Sequence, residues 1–142
     1  MVELTLLDAT VQWCNQNNIE CELQGDRVLI PDLGPQKFRF QVVSVPQQHI
    51  ESVAVTVPLS ASPREALIEA THLVNGAHLM GAWSVLDDGG LLFRLSLPTE
   101  GFGASIAGVD HLIRKLLGIV EYLQPRFEGV ASGQRAPSDV LA

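Results

Sequence analysis

Leu4, Leu7, Val11 and Cys14 recur at steps of three and four between Glu3 and about Asn15, the spacing that gives an α-helix one apolar face. The polar run "NQNN" closes this first helix and leaves Cys14 on its inner side. Period two then takes over. In "IECELQ", Ile19, Cys21 and Leu23 alternate with Glu20, Glu22 and Gln24, as in a strand with one wet face. Gly25-Asp26 turns the chain, and "RVLIPDL" returns as a second strand that the stretch from Pro31 to Pro35 stops. Phe38, Phe40 and Val42 share one side of "KFRFQVV", and Val53, Val55 and Val57 repeat the alternation in "IESVAVTVPL" after Pro46-Gln47-Gln48. These two runs predict a hairpin with a long loop. Strands with one polar side belong to an antiparallel sheet rather than to a parallel one buried on both faces.

"SASPREALIEATHLVNG" predicts the second helix, with Ser62 as N-cap, Pro63 at the first helical position and Glu65 completing a capping box. Leu67, Ala70, Leu73 and Val74 form its inner face, and Asn75-Gly76 supplies residues that tolerate the left-handed conformation in which many helices end. "GAWSVL" and "LLFRLSLP" are short strands on either side of "DDGG". That acidic stretch has the composition of a metal loop, a phosphate cradle or a bend. Asp88-Gly89 favours the bend, as a two-residue hairpin loop, because both residues accept positive φ. A calcium loop would need further oxygen ligands at alternate positions and a distal glutamate, whereas here the chain passes straight into Leu91-Leu92-Phe93.

The third helix starts near Ser105. Its apolar residues, among them Val109, Leu112, Ile113, Leu116, Ile119 and Leu123, fill an arc of about 160°, wider than the roughly 100° that one core requires. The spare width predicts a second contact. Pro125 is expected to kink or end this helix. Residues 1–131 read as one domain and residues 132–142 as a weakly held tail.

The 142 residues are 46% hydrophobic and 18% charged, which argues against disorder and for apolar surface covered by a partner. A net charge of −7, with nine scattered lysines and arginines, would repel a phosphate backbone, so no nucleic-acid partner is expected. No apolar run approaches a membrane span, and acidic residues stand where a secretory or transit peptide needs basic ones. The expected compartment is the cytoplasm. Cys14 and Cys21 lack companions at zinc-ligand spacing and read as buried free thiols.

Candidate chemistry is sparse. His49, His72, His78 and His111 match no metal-binding spacing, although a fold could gather His72, His78 or His111 around a carboxylate. Gly101-Phe102-Gly103 before the third helix lacks the third glycine of a dinucleotide motif and the lysine of a P-loop. No serine has a nucleophile-elbow context or a base nearby in sequence. Asp87 and Asp88 are adjacent and diverge rather than pair as acid and base. No cofactor is implied.

The order helix, four strands, helix, hairpin, helix can be compared with known families. From Val57 to Ala131, the helix ending at Asn75, the aromatic strand with Gly81-x-Trp83, the acidic turn, the second strand and the long apolar helix followed by "EGVASG" resemble the YbjN domain family of bacteria. That family is similar in fold to type III secretion chaperones, small acidic proteins that dimerise. The resemblance implies an α+β fold, a twisted antiparallel sheet with three main helices in the order α-β-β-β-β-α-β-β-α, and a homodimer. It implies no catalytic residues and carries a sensory-regulator label.

The expected function is therefore a non-enzymatic, chaperone-like or regulatory homodimer that binds a protein client. Leu112, Leu116, Ile119 and Leu123 are the candidate self-association surface, and an exposed sheet edge is a candidate for strand addition. The alternative is a small-molecule sensor or an unrecognised enzyme, with a pocket between sheet and helices supplied by His78, Trp83 and Arg94.

Overall fold

The computed structural model describes residues 5–48, 50–59, 64–77, 81–98 and 104–141. Its elements are α1 (Leu6–Gln16), β1 (Glu22–Gln24), β2 (Arg27–Leu33), β3 (Phe38–Val45), β4 (Ile50–Val57), α2 (Arg64–Ala77), β5 (Ala82–Val85), β6 (Leu91–Pro98) and α3 (Ile106–Ala131), the order expected from the sequence. The six strands form one antiparallel sheet in the order β1-β2-β3-β4-β6-β5. Period-two alternation puts Phe38, Phe40 and Val42 of β3, Val53, Val55 and Val57 of β4, and Leu91 and Phe93 of β6 on the inner face. They join the buried residues of all three helices in one core. Ala54 and Leu92, on the opposite face, are buried but lie outside that core.

The first helix starts at Leu6 and buries Leu6, Ala9, Thr10, Trp13 and Cys14, not the Leu7 and Val11 stripe expected from spacing alone. Polar contacts at both ends fix its rotation. The buried Glu51 carboxylate on β4 accepts from the Leu6 and Leu7 N–H groups at 3.2 and 3.0 Å, and the Thr5 hydroxyl accepts from Asp8 N–H at 3.1 Å. A carboxylate at a helix N-terminus satisfies orphan donors and meets the positive end of the dipole. Near the other end, the Trp13 indole donates to Asp110 Oδ1 of α3 at 3.1 Å. The first strand is also shorter than its alternation suggested: only Glu22–Gln24 pair, all three exposed.

The capping box of α2 lies outside the described residues at Ser62 and Pro63, and Thr71 takes the buried place expected for Leu73. In α3, the Ser105 hydroxyl caps Gly108 N–H at 3.0 Å. The buried stripe Val109, Ile113, Leu116, Val120, Leu123, Phe127 and Val130 then advances by alternating steps of four and three. Pro125 does not end the helix, which runs on to Ala131. An interior proline costs about 3 kcal/mol, but Phe127 and Val130 lie beyond it, and burying each contributes roughly 1.5–3 kcal/mol. After α3 the chain makes a short 3-10 turn at Pro137–Asp139; Val140 is 1% exposed and its carbonyl accepts from Arg126 at 3.1 Å.

Candidate functional site

An open sheet has two edges, and each offers a row of backbone N–H and C=O groups to an added strand. At β5, Trp83 faces Phe93 across the ladder. The outward groups of Trp83 are already occupied. Its N–H donates to Asn75 Oδ1 at 2.7 Å, and its carbonyl accepts from Asn75 Nδ2 at 2.9 Å. One α2 side-chain amide thus substitutes for a neighbouring strand. Gly81 makes the approach to this edge possible: its φ is +70°, and a Cβ there would meet Arg94 O at 2.7 Å and the Phe93 ring at 2.8 Å.

The β1 edge is open. Its two-residue loop Gly25-Asp26 closes on the pair Gln24 and Arg27, with Leu23 opposite Val28 one step earlier. In such a hairpin the pair flanking the loop exchanges ladder bonds, so Leu23 is the non-hydrogen-bonded residue and its N–H and C=O point outward. The Leu23 side chain shares the inner face with Val28 yet is 59% exposed, the most exposed large apolar side chain among the described residues. Glu20 and Glu22 precede it, both exposed. This edge combines backbone groups with no partner among the described residues, an exposed leucine and negative charge.

The residues nominated from sequence are placed as follows. Leu116 and Leu123 are 1% and 0% exposed inside the core, while Leu112 and Ile119 are partly buried against it. Trp83 packs between Phe93 and Phe127, with ring centroids 5.0 and 4.9 Å away. Its buried indole N–H has no hydrogen-bond partner among the described residues. Arg94 follows Phe93 and therefore projects from the opposite face, where it lines a groove with Arg27. Trp83 and Arg94 consequently do not share a pocket, and His78 lies outside the described residues.

The acidic stretch is a bend with one more residue than expected. Leu86 N–H donates to Gly90 O at 2.8 Å and Gly89 N–H to Leu86 O at 3.0 Å. With Gly89 at φ +90°, this is a three-residue loop ending in a left-handed position. Asp88 Oδ1 accepts from Gly90 N–H at 2.9 Å, and Asp87 makes an exposed 3.5 Å pair with Arg64. Asp88 closes the turn, and Asp87 links it to α2. Among the described residues no group of three His, Cys, Asp or Glu could hold a metal. The Cys14 thiol is pushed up to about 12 by burial and by the neighbouring Cys21, so it is protonated and unreactive at neutral pH.

No site role follows from the sequence for Glu51, Asn75 or Leu23. Glu51 had left a signal, a carboxylate in phase with Val53, Val55 and Val57. Asn75 and Leu23 had left none, because their roles depend on which strands become edges.

The antiparallel sheet with helices on one face is an α+β fold like that of type III secretion chaperones. The chain superposes on the HopA1–SchA chaperone–effector complex with a TM-score of 0.56 at 13% identity, covering 84% of this chain and 88% of that one. It superposes on the crystal structure of YbjN from E. coli with a TM-score of 0.61 at 14% identity, covering 90% and 93%. The family described as "Putative bacterial sensory transduction regulator" matches residues 7–129, and the chain belongs to this YbjN family. No curated protein matches it in sequence. Among the described residues no helix is long and apolar enough to cross a membrane.

Proposed function

We propose that this chain is a non-enzymatic protein-binding module, acting as a cytoplasmic homodimer, that receives an extended segment of a client along β1. The carrying observation is the asymmetry of the two edges: Asn75 occupies the outward groups of Trp83, whereas Leu23 is uncovered. A chaperone–effector complex among its structural neighbours and the regulator description of its family support this reading. An added strand would pair with Leu23 N–H and C=O and cover its side chain, and Glu20 and Glu22 favour a segment in which apolar and basic residues alternate.

The test is affinity capture from the native host's lysate with wild type and Leu23→Pro. Proline removes the outward N–H but no ladder donor, and it is tolerated on an edge strand. The expected result is a small set of proteins retained by wild type and lost from Leu23→Pro at unchanged circular dichroism. Equal retention by both would refute binding at this edge. Light scattering should give twice the 15.4 kDa chain mass, and a monomer would remove the dimer from the proposal.

A further inference from the structure

The sheet face turned away from the helices carries a groove of about 360 Å³, within the range of small-molecule sites. Directly paired residues of antiparallel strands share a face, so the register lays out its surface in rows. Arg27, Val43, Ser52 and Ser96 form one row, and Leu29, Gln41, Ala54 and Arg94 the next. Small side chains at Ser52, Ala54 and Ser96 leave the middle hollow, and Arg27 and Arg94 stand at its two sides. Three strand spacings across the sheet and one two-residue step along it, about 16 Å in all, separate their backbones.

The charge of this hollow runs against that of the whole chain, which is −7. Among the described residues no lining residue is acidic, and Gln41, Gln48, Ser52 and Ser96 add hydrogen-bonding groups. Neither arginine has an ion-pair partner among the described residues. Glu22 lies on the same face by register, across β1 from Leu29, and its carboxylate accepts instead from Gln24 at 3.1 Å. A guanidinium is matched best by a planar carboxylate or by phosphate oxygens. Two guanidinium groups across a small-residue floor call for a negative group at each end of one molecule.

We propose that this face binds an elongated organic dianion, its carboxylate or phosphate ends held by Arg27 and Arg94 and its uncharged body resting over Ser52 and Ala54. The site is separate from the β1 edge, so a ligand here would make the module responsive to a metabolite as well as to a protein.

The test is titration calorimetry at low salt with adipate and with hexane-1,6-diyl bis(methyl phosphate), with acetate and dimethyl phosphate as single-charge-centre controls. Binding of either dianion, at least about tenfold tighter than its matching control and weakened about tenfold by Arg27→Gln or Arg94→Gln, would support the site. Which dianion binds would tell a dicarboxylate from a phosphate ester. Both arginines are exposed, so the variants should keep the wild-type melting temperature. No heat with any dianion up to on the order of 10 mM, or equal affinity for controls and dianions, would overturn the proposal and leave the arginines as solubilising charges. Loss of dimer mass in the double variant would overturn it in favour of a second copy on this face.

Discussion

Gly81, at φ +70° with Arg94 O and the Phe93 ring within 3 Å of any added Cβ, is the residue on which the protected edge turns. Gly81→Ala should destabilise the fold by roughly 2–4 kcal/mol, from backbone strain and a collision with main chain. Denaturant unfolding would check this, and a change under about 0.5 kcal/mol, the usual size for a surface substitution, would contradict the packing described. Asp110 joins α1 to α3 by accepting from Trp13 and from Arg114 at 3.1 and 2.8 Å. The Arg114 and then the Trp13 hydrogen bond hold its carboxyl below the usual carboxylate range. A group with a lowered folded pKa stabilises above its unfolded value of about 3.9 and loses that contribution as pH falls through the folded one. Wild type should therefore melt slightly above Asp110→Asn at neutral pH, with the gap closing under strong acid. A gap that widened on acidification would reverse the assignment. Residues differed in how far they could be read in advance. Glu51 stood visibly in the apolar phase of β4, whereas Asn75 reads as a helix-ending residue until β5 is known to be an edge.

The period-two and three-to-four repeats specified which element each segment forms and in what order, because alternation and helical spacing are local. Helix rotation and helix ends were less legible. The rotation of α1 is set by Glu51 and Asp110, which are 45 and 97 residues away from their partners Leu6 and Trp13. Pro125 reads locally as a stop, but the core continues past it to Phe127 and Val130. The segment after α3 is polar and short, and only the docked fold shows Val140 inside. Val140→Asp should destabilise the protein by about 2–3 kcal/mol through the lost burial and a buried charge. An unchanged unfolding midpoint would show that the segment is held as loosely as its composition suggests.

Among the described residues, three helices cover one side of the sheet, and nothing covers the other side or the β1 edge. Burial of Leu116 and Leu123 removes half of the α3 surface first considered for self-association. The exposed Leu23 side chain places the proposed client contact at the β1 edge. The most direct measurement is amide hydrogen exchange at Glu22–Gln24, with and without a captured client. The account predicts that the Leu23 amide exchanges fast in the free protein and becomes protected in the complex, while Trp83, already bonded to Asn75, is protected in both. Protection that spares Leu23 and appears elsewhere in the complex would contradict binding by strand addition at β1.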